Sequence, residues 1–236
     1  MNPVVYAGIA AAGNLLGALA LTTRAAWSRR TLEFVLAFSA GFLVAVSLGE
    51  LVPEAVARGG VGAGGWMLTG FVLVHLTQHA LVHNFHFGEE THPVAHQVGP
   101  SALVGLLLHT FVDGVAIASA FAVNATLGLF VFTAIVLHKL PEGLAISSLF
   151  LAAGYSRLAS LGAATALGVA TIVGVVATHA IGPLAHYGLA LSAGVTLYVA
   201  GSNLIPEFQG KPGWRHNIAF FGGCVLYFAA RAIVRG

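Results

Sequence analysis

Apolar residues along this chain come in runs of about 18–25, the length at which a helix crosses a hydrocarbon core of about 30 Å. Eight such runs lie near residues 4–22, 32–51, 62–82, 100–122, 126–150, 157–180, 184–204 and 217–234. Inside them apolar and polar positions do not alternate, as the strands of a membrane barrel would require; IAAAGNLLGALAL (9–21) shows the contrast. The pattern predicts an all-α integral membrane protein, an eight-helix transmembrane bundle. Apart from 83–99 the links are short, so residues 1–236 read as a single transmembrane domain.

Composition agrees. The 236 residues are 58% hydrophobic and 8% charged, against about 25% charged in soluble domains. Thirty glycines suit close helix–helix contact in lipid. A formal net charge of +2 gives no reason to expect nucleic acid or an acidic partner. The lone Cys224 leaves no intrachain disulfide and no cysteine-based metal site, whereas eleven histidines are many for a membrane chain. Met1-Asn2-Pro3 carries no basic segment, so the first run is expected to be a retained span.

Basic residues orient the bundle. Arg24, Arg29, Arg30, Arg157, Lys211 and Arg215 flank the odd-to-even links, and only Arg58, Arg231 and Arg235 lie towards the other side. Basic residues favour the cytoplasmic face, so both termini are expected outside the cell membrane and the loop 83–99 inside.

Two segments recur. AFSAGFLVAVSLGELVPE (37–54) matches ALSAGVTLYVAGSNLIPE (190–207) at eight of eighteen positions without a gap. These lie in spans 2 and 7, which run in opposite directions. LHTFVDGVAIASAF (108–121) recurs as LHKLPEGLAISSLF (137–150), in the consecutive spans 4 and 5. Inverted repeats flanking a central pair are a transporter signature, with the substrate site near the membrane midplane.

The central pair carries the chemistry. Residues four apart share a helix face, so His109 and Asp113 point one way from span 4, and His138 and Glu142 do so from span 5. Ionisable groups deep in a span are costly and normally pair or line a polar path. Two imidazoles and two carboxylates suit zinc, and also iron, cobalt, nickel or manganese, better than magnesium or calcium. Pro141 removes a backbone donor and is expected to free a carbonyl beside the site, while Gly114 and Gly143 allow close helix approach. The rival reading is an intramembrane zinc-dependent hydrolase, with the same ligands activating water. It lacks an H-E-x-x-H motif and any distinct acid, base or oxyanion donor, so no enzyme is expected.

HTFVDG and HKLPEG resemble the span-4 and span-5 signatures of the ZIP (zinc/iron-regulated-transporter-like) metal transporters. The likeness extends to AGFLVAVSLGELVPEA in span 2, to SAGVTLYVAGSNLIPE in span 7 and to the eight-span layout. The resemblance implies transport of divalent cations into the cytosol, Zn²⁺ foremost, with iron, manganese, cobalt and cadmium as further substrates. It also implies a 3+2+3 arrangement of spans, a homodimer, alternating access, and His109, Asp113, His138 and Glu142 as transport-site ligands. The metal is substrate, and no resident cofactor is called for.

The chain departs from the family pattern at Thr110, commonly asparagine, and at Lys139, often a carboxylate or asparagine. Span 6 also lacks the carboxylate some members have, offering Thr165, Thr171, Thr178 and His179. A carboxylate at the position of Lys139 can help hold a second metal in the family. An ammonium cannot, so Lys139 is expected to act as a tethered cation in its place, leaving one transported ion per site.

Secondary features follow the same logic. His75, His79, His83 and His86 form one stripe running out of span 3 towards Glu89, Glu90, His92 and His96, a metal exit or sensing surface or else a solvated loop. Glu50 and Asn203 occupy equivalent repeat positions, and Glu50 is expected to line the pathway. Glu54 and Glu207, one turn further out, read as interfacial carboxylates. Trp27, Trp66 and Trp214 near span ends read as interface anchors.

Overall fold

The computed structural model describes residues 1–23, 29–81 and 98–235, and among them every regular element is helical. In chain order these are α1 (Pro3–Thr22), α2 (Arg29–Val46), a π-helical turn (Ser47–Leu51), α3 (Val52–Gly59) and a 3₁₀ turn (Gly60–Gly62). Then come α4 (Ala63–Leu81), α5 (Val98–Val123), α6 (Ala125–Ala152), α7 (Arg157–Ala180) and α8 (Gly182–Tyr198). A second π-helical turn (Val199–Leu204), a 3₁₀ turn (Ile205–Glu207) and α9 (Arg215–Arg235) complete the chain. Starts are capped as the sequence allows: Asn124 accepts the Leu127 amide at 2.8 Å, and Ser156 accepts that of Ala159 at 3.2 Å.

Seven stretches of the described residues are long and apolar enough to cross a membrane, not the eight expected. The runs predicted near 32–51 and 62–82 fall in one stretch, Glu33–Gln78, because apolarity continues through the glycine-rich link. A straight helix of its 46 residues would measure about 69 Å, more than twice the hydrocarbon thickness. The chain breaks instead at Gly60, whose φ of 53° favours a residue without a Cβ.

Side-chain pairings show that the two arms of this stretch run in opposite directions. Ser39 reaches Leu137, while Tyr227 bonds Glu50 and packs on Phe130, so the α2 arm runs against α6. The single-residue link at Asn124 reverses α5 into α6. Val112 meets Ser192 and Ser119 meets Gly188, setting α8 against α5. Trp66 stacks on Tyr187 and His75 touches Tyr198, so α4 runs with α8 and hence against α2.

Small residues make the close contacts. α2 packs on α9 and α4 on α8, and the glycine of each repeated S-A-G is the contact point. A Cβ at Gly41 would lie 1.9 Å from the Phe220 carbonyl oxygen, and one at Gly194 would lie 1.8 Å from that of Met67. α1 packs on α6 and α7 on α5 in the same manner. Each repeat also touches one member of the central pair, α2 on α6 and α8 on α5. The two π-helical turns fall at matching repeat positions, each against the long helix of the other repeat.

Candidate metal centre

α5 and α6 are apolar on nearly every face, so the few polar side chains they carry turn to each other rather than to lipid. His109, Asp113, His138 and Glu142 each offer a ligand atom within 4.8 Å of the others, and none of the four is more than 3% exposed. Asp113 Oδ2 is the hub, 3.4 Å from His109 Nε2 and 3.3 Å from His138 Nε2. Tetrahedral neighbours around zinc, with bonds of about 2.0–2.1 Å, lie about 3.3 Å apart, so these separations suit one ion.

His138 Nδ1 lies 2.9 Å from the Ala134 carbonyl, which only accepts, so that nitrogen carries the proton and Nε2 offers its lone pair to the centre. Both ring nitrogens of His109 and Oε1 of Glu142 are buried without a hydrogen bond. Lys139 Nζ enters from α6, 2.6 Å from Asp113 Oδ2 and 2.9 Å from Glu142 Oε2. It neutralises one of the two carboxylate charges.

The backbone around the centre is fixed by both repeats. Pro141 lacks an amide hydrogen, which leaves the Leu137 carbonyl, four residues back, without its helical donor. α6 nevertheless continues through this point, and the freed carbonyl turns to α2, where Ser39 Oγ donates to it at 2.9 Å. Ser192 Oγ of α8 donates to the Val112 carbonyl at 3.4 Å. These serines hold the same place in the repeated S-A-G, and each contacts the residue just before a member of the centre. The motif glycines seat the outer helices: a Cβ at Gly114 would lie 2.0 Å from the Thr171 oxygen, and one at Gly143 would lie 2.0 Å from that of Asn14.

A model of the ZIP zinc transporter family matches residues 98–230, more than half of the chain and all of α5–α8. The chain belongs to the ZIP zinc transporter family. Zinc transporter ZIP9 of Micropogonias undulatus is 31% identical over 172 residues, covering 66% of this chain and 54% of that protein. Zinc transporter ZIP9 of Macaca fascicularis is 34% identical over 132 residues, 51% of this chain and 56% of that one. Zinc transporter ZIP10 of Danio rerio is 30% identical over 128 residues, 52% of this chain but 15% of the relative. This ZIP chain therefore spans about half the length of the ZIP9 relatives it matches, and much less of ZIP10.

The remaining predicted residues lie apart from the tetrad or outside the described residues. Glu50 sits in the first π-helical turn, where Tyr227 donates its hydroxyl at 3.0 Å and Arg231 Nε approaches to 3.3 Å. Asn203, in the second, has its Nδ2 buried without a partner. Thr110 donates to the Leu106 carbonyl at 3.0 Å and so spends its hydroxyl within α5. Glu54 pairs with Arg58 at 2.7 Å, one turn along α3. His75 is exposed on α4, beside the Tyr198 ring. His79 belongs to α4, but its side chain, that of Glu207, and His83 and His86 lie outside the described residues.

Sequence reasoning missed Ser39, Ser192, Asn14 and Tyr227. The serines were visible as part of a repeat, yet nothing in the repeat says what they touch. Asn14 was signalled by being the one amide in the first apolar run.

Proposed function

We propose that this ZIP chain carries divalent transition-metal cations, zinc first among them, across the bilayer into the cytosol through His109, Asp113, His138 and Glu142. The observation that carries this reading is the convergence of two imidazoles and two carboxylates from neighbouring helices within 4.8 Å, all buried. Such a donor set in a membrane interior serves a cation. The inverted repeats on either side of α5–α6 support alternating access, because the same packing recurs at both ends of the central pair. Iron, manganese, cobalt and cadmium are further substrates that these ligands accept.

Family membership, with relatives named zinc transporters, supports the metal as cargo, and a homodimer in the cell membrane is what the resemblance of the span-4 and span-5 motifs implies. The distribution of basic residues supports termini outside and the 83–99 loop inside. A hydrolase gains no support: apart from the four ligands and Lys139, α5 and α6 carry no acid or base to activate water.

Sealed vesicles containing the purified chain alone and an internal zinc-sensitive dye test the proposal. Zinc entry faster than in protein-free vesicles is the expected result. Metal binding with no entry would leave a membrane metal-binding protein and overturn transport.

A further inference from the structure

Lys139 is the only lysine or arginine on α5 or α6, and its side chain is fully buried. Its ammonium takes up Asp113 Oδ2, the same oxygen on which His109 and His138 converge, and it also holds Glu142 Oε2. A divalent cation on those oxygens would sit beside the ammonium in a medium that screens little. Metal and ammonium therefore compete for the carboxylates, and the ammonium needs somewhere to go when an ion binds.

Comparison of the two halves of the centre shows where. Thr110 holds the motif position that Lys139 holds in the other half, and Thr171 faces Gly114 as Asn14 faces Gly143. Both threonines spend their hydroxyls on their own helices, Thr110 on Leu106 at 3.0 Å and Thr171 on Leu167 at 3.3 Å. In the other half Asn14 is fully buried, and neither its Oδ1 nor its Nδ2 has a hydrogen-bond partner. Lys139 and Gly143 lie on one face of α6, four residues apart, and that face meets α1: a Cβ at Gly13 would lie 3.1 Å from Lys139 Cβ. A buried amide with both polar atoms idle is unusual and calls for a partner.

We propose that Lys139 is a built-in competitor for the transported ion. It holds Asp113 and Glu142 while the site is empty and passes to the Asn14 carboxamide oxygen when a metal arrives. This rests on the reading of the tetrad as a metal site given under Proposed function. The exchange spares the empty site two bare carboxylates in the bilayer, a state whose cost would oppose its return. It also weakens the hold on the ion enough for release.

Zinc titration calorimetry on the purified full chain, with His83, His86, His92 and His96 replaced to silence the loop, tests this. Glu142→Ala abolishes core binding if the tetrad is the site; unchanged binding there would remove the foundation, whatever Lys139 does. With the tetrad upheld, Lys139→Met and Lys139→Gln bind zinc about tenfold tighter or more, a typical coupling between two linked ligands. Equal or weaker binding by these folded variants would overturn competition and leave a structural ion pair. Asn14→Ala weakens binding when Lys139 is present and has no effect in Lys139→Met, a non-additivity that simple packing loss does not produce. Equal effects in both backgrounds would overturn the exchange. If neither Lys139 variant folds, Asn14→Ala and the nearly isosteric Asn14→Asp decide together: weaker binding in the first and tighter in the second, whose carboxylate draws the ammonium off the site, supports the exchange, and any other pattern refutes it.

Discussion

Ser39 donates its hydroxyl at 2.9 Å to the carbonyl of Leu137, the acceptor left without a helical donor by Pro141. One turn of α6 thus has its backbone completed by the first repeat, immediately before His138. Ser39→Ala leaves a buried carbonyl unsatisfied, at a cost of about 1–3 kcal/mol. Ser192→Ala costs less, because the Val112 carbonyl still has a helical donor in the Ala116 amide. Thermal unfolding in detergent should rank the two in that order, and zinc binding should weaken more in Ser39→Ala, because the Leu137 carbonyl beside His138 then has no donor at all.

Gly143 and Gly114 bring the outer helices onto the central pair. A methyl group at either would lie 2.0 Å from a backbone oxygen that cannot rotate away. Gly143→Ala and Gly114→Ala are each expected to lower stability by about 1–3 kcal/mol, the usual cost of overpacking. Gly162→Ala, with open space around it on α7, should be neutral or slightly stabilising. Melting temperatures of the three variants check this directly.

Much of this was legible in the chain. His109, Asp113, His138 and Glu142 could be paired because spacing of four on two adjacent apolar runs admits few other arrangements. The repeat 37–54/190–207 was visible in identities, and its structural meaning appears in Gly41 and Gly194, which make equivalent contacts with α9 and α4. Other features were illegible for physical reasons. Hydropathy cannot distinguish α from π hydrogen bonding, so the turns at Ser47–Leu51 and Val199–Leu204 left no trace. The reversal at Gly60, by contrast, was legible as the gap between the runs near 32–51 and 62–82, although apolarity carries through Glu33–Gln78 as one stretch. Partners distant in sequence, such as Tyr227 for Glu50 or Asp113 for Lys139, follow from packing alone.

The orientation of the bundle is open to a labelling experiment. Val61 and Gln209 are exposed at the ends of the α2 and α8 arms, next to glycines whose positive φ would strain a cysteine. Cysteines at these two positions, in a chain whose Cys224 has been replaced, should react with a membrane-impermeant maleimide from opposite sides of an intact cell. Val61→Cys is expected to label from outside and Gln209→Cys only after permeabilisation. Labelling of both from outside would contradict the assigned topology.

Ion binding should also register as stability. A ligand present at about 100 times its dissociation constant stabilises the folded state by about 2.7 kcal/mol. Zinc is therefore expected to raise the unfolding temperature of the loop-silenced protein, and His109→Ala, Asp113→Ala or His138→Ala should remove most of that rise. Magnesium, poorly matched to imidazole, should have little effect at the same concentration.

Zinc flux into vesicles containing Glu142→Ala, measured beside the unaltered chain, tests the central claim most directly. Glu142 is fully buried between the ammonium of Lys139 and the rest of the tetrad, so its removal takes away a ligand without touching the glycine contacts that hold the bundle. The account predicts that this variant purifies as the same monodisperse species and that its flux falls to the level of protein-free vesicles. Zinc entry at the rate of the unaltered chain would contradict it.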